Sequence, residues 1–162
     1  MYPLLPWNHR GWHGGGKSNN NYIGVEMTEP DTIRYTGGSS WEEIADGTNT
    51  KAHVLAIYTH AVELFAFLCN MFSLDPMEDG VIVSHSEGHK RGIASNHGDV
   101  VHWWSKFDYT MDDFRRDVAE RMEDDNMTQE KLSQRMGVSR QTVSKWEWYV
   151  SSGLQYADYV GG

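Results

Sequence analysis

The sequence lacks several features that assign a chain to a common class at once. Its 162 residues include one cysteine, Cys69, so an intramolecular disulfide and a multi-cysteine zinc site are both excluded. Basic residues are scarce, with 14 Lys and Arg against 23 Asp and Glu, and the net charge of −9 argues against the whole chain binding nucleic acid. No apolar run reaches membrane-spanning length and no signal peptide is visible, so we expect no membrane partner.

Two short apolar stretches are typical of buried strands. Tyr22–Met27 is the first, and Gly24 within it indicates close approach by another group. Gly80–Ser84 is the second. Turn signals separate these strands from the helical patterns of the chain.

Helical periodicity is clearest in two other segments. A broad apolar stripe from about Thr50 to Phe72 predicts a long helix packed against a sheet, with Cys69 as a small buried hydrophobe. Met111–Glu123, with Thr110 as N-cap, predicts another helix. The order strand, helix, strand, helix predicts an α/β domain over residues 1–123 and a helical appendage over 124–162.

The stretch with the most potential chemistry is residues 84–99, SHSEGHKRGIASNHGD. Imidazoles and carboxylates are the usual nitrogen and oxygen ligands of catalytic zinc. A ligand at the end of a strand and a second in the following loop can reach one metal ion. Gly88 and Gly92 argue against a helix here, so we expect a loop. The candidate ligands are His85, Glu87, His89, His97 and Asp99.

Glu26 is the other candidate for chemistry. It lies in a predicted buried strand without a neighbouring charge, where a carboxylate is costly unless it has a partner or a function. A catalytic zinc needs three protein ligands, a water molecule, and a nearby carboxylate to take the proton of that water. Glu26 suits the last role. Considered alone, His85 and His97 are either ligands or structural loop histidines.

Several separate blocks occur in an order that is characteristic of one enzyme family. They are Trp12–Gly15, Asn20–Met27, Ser84–His89 and Asn96–Asp99, followed by Trp104. Over about residues 5–120 the chain resembles the N-acetylmuramoyl-L-alanine amidases of the peptidoglycan-recognition-protein-like fold, found in bacterial autolysins and phage endolysins. The resemblance implies a central mixed β-sheet flanked by helices. It also implies zinc-dependent cleavage, at the bacterial cell wall, of the amide between N-acetylmuramic acid and L-alanine in peptidoglycan.

The resemblance carries over to individual residues. It implies that His85 and His97 bind zinc, with Asp99 as the alternative to His97. Glu26 matches the strand carboxylate that positions and deprotonates the water. Lys90 is a loose counterpart of a lysine that stabilises the oxyanion, because Ser95 stands where that lysine is expected. The residues implied to bind substrate are Trp12, His13 and Asn21.

The resemblance departs from the family at the N-terminus. The family's first zinc histidine comes from a strand that precedes the Trp-His-Gly block, and only eleven residues precede Trp12 here. We therefore expect an N-terminally truncated amidase with weakened zinc binding. In the alternatives, His9 or His13 supplies the third ligand, or the protein binds peptidoglycan without cleaving it.

The C-terminal segment carries a second resemblance. Residues 127–147 resemble the helix-turn-helix of phage-repressor-like regulators, with Gly137 at the turn. This implies that Arg140 and Gln141 face the major groove and that Lys145 contacts phosphate. No further amphipathic helices follow and the acidic body opposes DNA contact, so we expect a role without nucleic acid. A DNA-binding regulator is the alternative, and no pattern in the sequence indicates an oligomeric state.

Overall fold

The computed structural model describes residues 6–44 except residue 8, residues 47–123, and five single positions between 133 and 141. The helices are α1 (Ser18–Asn21), α2 (Gly47–Phe72), α3 (His85–Lys90), α4 (Val101–Trp104) and α5 (Met111–Glu123). The strands are β1 (Ile33–Gly37) and β2 (Ser40–Glu43), and a 3-10 turn, Ser105–Phe107, follows α4.

Helices α2 and α5 pack together and form the core, as their periodicity predicts. Helix α2 ends at the predicted Phe72, and α5 has the predicted bounds, with the Asp113 amide donating to the Thr110 side chain at 3.1 Å. Cys69 is buried, as expected, and burial raises the pKa of its thiol to about 11. The side chains at the centre of this core, each at most 2% exposed, are Leu64, Ala66, Cys69, Trp104, Phe114 and Val118.

Polar contacts align the two core helices. The Tyr58 hydroxyl on α2 donates to the Asp117 carboxylate on α5 at 2.6 Å. Burial, together with this hydrogen bond, raises the pKa of Tyr58. One turn further along, Arg121 forms an ion pair with Glu63 at 3.0 Å. These contacts fix the register of α2 against α5, which in turn supports the segments packed on both helices.

Helix α2 is long and apolar, which is relevant to the prediction that no segment of the chain reaches membrane-spanning length. By length and composition Asn49–Phe72 could cross a membrane, with a mean hydropathy of 1.5, contrary to the expectation that no segment is long enough. Half of the 18-residue stretch of this helix that has this mean hydropathy is buried inside the protein. The core helix of a soluble protein passes the same test, so this observation is weak evidence for a membrane segment.

The strand predictions were wrong for the described part of the chain. Tyr22–Met27 has no regular secondary structure and belongs to no sheet, and Gly80–Ser84 forms turns and irregular backbone. Their apolar side chains are buried by other means, because Ile23 and Val25 pack against α2 and Ile82 is 3% exposed in the main core. Packing on a helix therefore replaces strand pairing in both segments.

The sheet that is present lies in a region predicted as turns. Strands β1 and β2 form an antiparallel hairpin in which Tyr35 pairs with Trp41. Trp41 anchors this hairpin to α4, since its ring lies 4.6 Å from that of Trp103 and its Nε1 donates to the His102 carbonyl at 3.1 Å. The hairpin is thereby held beside the histidine-rich segment.

Candidate functional site

Helix α3 positions the first candidate ligand. The expectation of a loop was wrong, because Ser84 and Glu87 form a capping box that starts a helix at His85. Gly88 does not break the helix, because it packs against the following loop: a Cβ there would lie 3.0 Å from the Cβ of Ala94. His85 consequently occupies the first position of a fixed helical turn.

An ion pair holds this capping box to α5. The Arg115 guanidinium donates to both oxygens of Glu87, at 2.8 and 2.7 Å, and also to the Ile82 carbonyl. Burial alone would raise the pKa of the Glu87 carboxyl, but the hydrogen bonds from Arg115 and Ser84 hold that pKa below its ordinary value. Glu87 is therefore committed to structure and is not a candidate metal ligand.

The predicted ligands converge on one carboxylate. The Nδ1 atoms of His85 and His97 each lie 3.9 Å from the same oxygen, Oδ2 of Asp99. The two imidazole rings are 4.8 Å apart, centre to centre. His97 and Asp99 are more than half exposed, whereas the His85 side chain is 15% exposed. His97 and Asp99 thus lie together beside His85, although the sequence offered them as alternatives.

A second network approaches the other oxygen of Asp99. His102 Nδ1 lies 3.6 Å from Asp99 Oδ1, and this buried nitrogen has no hydrogen-bond partner among the described residues. His102 Nε2 contacts the Tyr35 hydroxyl at 3.1 Å, and that hydroxyl donates to Glu29 at 2.6 Å. Burial and the Glu29 hydrogen bond raise the pKa of Tyr35. The β1–β2 hairpin is therefore linked to the candidate ligands.

The loop around Gly14 supports His85 from the opposite side. His85 Nε2 lies 2.9 Å from the Ser95 hydroxyl, which also contacts the Gly14 carbonyl at 3.1 Å. The backbone amide of Ser95 donates to the same carbonyl at 2.8 Å. Asn19, which is 1% exposed, accepts from the amides of Gly14 and Gly15 at 3.0 Å each and so fixes the loop.

Glu26 shares a cavity of about 220 Å³ with the cluster. The cavity walls include Glu26, His85 and Asp99, and its floor contains apolar core residues such as Trp104 and Phe114. Glu26 is exposed, so the assumption that this carboxylate is buried in a strand was wrong. Its position on the cavity wall nevertheless leaves its carboxylate accessible to a substrate or to water.

His13 also lines the cavity and explains the requirement for Gly24. The His13 Nε2 atom donates to the Tyr22 carbonyl at 3.1 Å, and a Cβ on Gly24 would lie 2.3 Å from the His13 ring. The predicted close approach at Gly24 is therefore made by a side chain of the same protein. His9 is exposed.

The remaining predicted residues lie at the surface. Trp12 is 82% exposed, Asn21 is exposed at the end of α1, and Lys90 is exposed at the end of α3. None of the three lines the cavity, as far as the described residues show. Gln141 is helical and exposed, whereas Arg140 and Lys145 lie outside the described residues.

The candidate ligands are residue types that bind zinc, but their donor atoms lie slightly farther apart than the ligand atoms of a zinc site. Within the described ranges, no three His, Cys, Asp or Glu side chains are close enough to enclose a metal ion as they stand. Tetrahedral zinc with bonds of 2.0–2.2 Å separates its ligand atoms by roughly 3.4 Å, against 3.9 Å between Asp99 Oδ2 and each Nδ1 atom. His85, His97 and Asp99 are therefore of the residue types that bind zinc, but as they stand they do not enclose a metal ion.

The residues that support the candidate ligands were not predicted from the sequence. Ser95 is singled out only because the amidase resemblance leads one to expect a lysine there, and no role is predicted for His102. A usable signal existed for His102, because Asp99 and His102 are separated by three positions, the spacing of neighbours on a helix. The contact of Tyr35 with His102 joins residues 67 positions apart and leaves no local pattern in the sequence.

Comparison with known proteins bears on the C-terminal segment. A helix-turn-helix family model matches residues 118–147. No curated protein and no solved structure is similar to the chain. The match begins within α5, at the fully buried Val118, so the last turn and a half of that helix belongs both to the body and to the matched segment. The resemblance of the body to amidases stays a prediction.

Proposed function

We propose that the body of this protein is a zinc-dependent amidase of the N-acetylmuramoyl-L-alanine type. The observation that carries the proposal is the convergence of His85 Nδ1 and His97 Nδ1 on one oxygen of Asp99, at 3.9 Å each. Two members of this arrangement, His85 and Asp99, line a cavity that is also lined by the exposed carboxylate residue Glu26. Three ligands and a separate base are the minimum set for metal-assisted hydrolysis.

Each group has a distinct task in such a reaction. His85, His97 and Asp99 would hold zinc, which supplies Lewis-acid polarisation of the scissile carbonyl and of water. Glu26 accepts a proton from the attacking water and returns it to the leaving amine of L-alanine. Apolar side chains such as Trp104 and Phe114 line part of the cavity, which lowers the local dielectric constant and so strengthens electrostatic interactions there.

The test is release of the L-alanine amino group from a muramoyl peptide. We expect wild-type protein to release it, and Glu26→Gln to lose at least 100-fold in rate while retaining bound zinc. Glu78→Gln, an exposed carboxylate outside the cavity, is the matched control and should behave as wild type. Binding of the muramoyl peptide without any release would instead identify a non-catalytic peptidoglycan binder.

A second function is proposed for the C-terminal segment, namely DNA binding by a helix-turn-helix. The family-model match over residues 118–147 favours it over the role without nucleic acid that the net charge suggested. Arg140 and Gln141 would contact base edges and Lys145 a phosphate. The charge of the body then weakens the affinity without abolishing it, because phosphate contacts depend on the local surface.

Duplex DNA binding at several salt concentrations tests this second function. We expect measurable binding at 50 mM salt that weakens steeply as salt rises. The Arg140→Ala, Lys145→Ala double variant should lose at least tenfold in affinity, whereas Lys51→Ala on α2 should have no effect. Absence of binding at the lowest salt would exclude the proposal.

A further inference from the structure

The end of α5 belongs to two parts of the protein at once. Helix α5 ends at Glu123, and the helix-turn-helix family model matches the chain from residue 118 onward. Residues 118–123 therefore lie within the matched segment. They also help to form the core of the body, because α5 packs on α2 through this stretch as well as through its first turns.

Residues 118–123 have a single apolar face. Their sequence is VAERME, in which the two large apolar side chains are Val118 and Met122. Residues four positions apart lie on the same face of a helix. Val118 is fully buried in the main core, and Met122 packs against that core. The body consequently occupies the apolar face that this part of α5 offers.

Polar contacts hold the same stretch of α5 on α2. Arg121 forms an ion pair with Glu63 at 3.0 Å, and the two side chains are 12% and 15% exposed. One turn earlier, Asp117 accepts a hydrogen bond from the Tyr58 hydroxyl at 2.6 Å. Tyr58 and Glu63 both lie on α2, outside the matched segment. Either can therefore be changed without altering the segment that is proposed to bind DNA.

A helix-turn-helix needs a further element to pack on. It consists of two helices joined by a short turn, and short helices owe most of their stability to the packing of an apolar face. The match extends upstream of the motif at 127–147 into the end of α5. On the basis of the DNA-binding function proposed above, we propose that the motif and α2 compete for Val118 and Met122. Docking of α5 on α2 then inhibits DNA binding, and release of its last turn and a half permits it.

Weaker docking should raise the apparent affinity for DNA. That affinity scales with the fraction of molecules in the binding-competent form, which is here the released one. Glu63→Gln removes the carboxylate charge that Arg121 contacts in the docked form, and it should raise the affinity for DNA by about fivefold or more. Tyr58→Phe removes the hydrogen bond to Asp117 without a change of charge, and it should raise the affinity by about threefold.

Binding of mixed-sequence duplex DNA at 50 mM salt is the first test. Glu78→Gln makes the same charge change at an exposed position, and Ser84→Ala weakens the cap of α3, so both controls should stay within about twofold of wild type. Circular dichroism verifies folding, and Tyr58→Phe decides alone if Glu63→Gln does not fold. An affinity equal to or below that of wild type would refute the inhibition and leave the proposed DNA binding intact.

A covalent restraint is the second test. In the Glu63→Cys, Arg121→Cys double variant, a short bifunctional thiol reagent would tie α5 to α2, and the other thiol, Cys69, is buried. The cross-linked protein should bind DNA about tenfold more weakly than the same variant treated with a monofunctional reagent. Equal affinities would overturn the inference. If neither wild type nor any variant binds DNA at this salt concentration, the proposed DNA-binding function fails, and the inhibition fails with it.

Discussion

Replacement of Arg115 by methionine should destabilise the framework that holds His85. Arg115 on α5 binds both oxygens of Glu87 on α3 and donates two hydrogen bonds to the Ile82 carbonyl, so it joins three segments. Methionine keeps most of the aliphatic volume of the side chain and removes all of these donors. The change therefore tests polar contacts with little cavity formation.

The expected loss of unfolding free energy follows from how far the Arg115–Glu87 pair is buried. The Arg115 and Glu87 side chains are 14% and 25% exposed, which places them between surface pairs worth at most about 1 kcal/mol and buried pairs whose disruption costs about 3–5 kcal/mol. We expect Arg115→Met to lower the free energy of unfolding by about 3 kcal/mol, of which about 2 kcal/mol is coupling to Glu87. The remainder is the loss of donors to Ile82.

Urea denaturation of four proteins measures both quantities. A double-mutant cycle with Glu87→Gln isolates the coupling. Because the pKa of Glu87 is lowered in the folded protein, its ionised form stabilises the fold above an unfolded-state pKa of roughly 4.3, and that contribution is lost as the pH falls through the folded-state value. The coupling should therefore be large at pH 7 and should decrease on acidification, as the pH falls through the lowered folded-state pKa of Glu87. A coupling below about 0.5 kcal/mol at pH 7, or one that grows on acidification, would refute the reasoning.

Three further substitutions test the packing around the site. Ser84→Ala removes the N-cap of α3 and should cost about 1 kcal/mol, whereas an unchanged urea midpoint would show that α3 does not need its cap. Gly24→Ala places a methyl group 2.3 Å from the His13 ring and should cost about 1–3 kcal/mol, and full stability would mean that His13 moves away freely. Val118→Ala in the core should cost about 2 kcal/mol in thermal unfolding, with the exposed Glu120→Ala as control; equal effects of the two would contradict the burial of this face.

Helices were predictable from the sequence because their signals are local. The apolar stripe that ends at Phe72 and the Thr110 cap both depend on residues within a few positions of one another, and both predictions are confirmed. The capping box at Ser84 and Glu87 is an equally local signal for a helix, but the low helix propensity of Gly88 led to the prediction of a loop. Tertiary packing of Gly88 against Ala94 offsets that intrinsic preference.

Strands and the network around the ligands were not predictable in the same way. A short apolar run such as Tyr22–Met27 fits a buried strand or an extended segment lying on a helix, and only the long-range packing decides between them. The contact of His102 with Tyr35 depends on how the hairpin docks on α4. That docking is set by Trp41 and Trp103, whose pairing the sequence does not encode locally.

Zinc stoichiometry is the measurement that tests the central claim most directly. Wild-type protein, dialysed against zinc and then against buffer, should retain about one zinc ion per chain by elemental analysis. His85→Ala and Asp99→Ala should each retain far less, while Glu78→Ala should match wild type. Equal zinc in all four proteins, or none in the wild type, would contradict the assignment of His85, His97 and Asp99 as a metal centre.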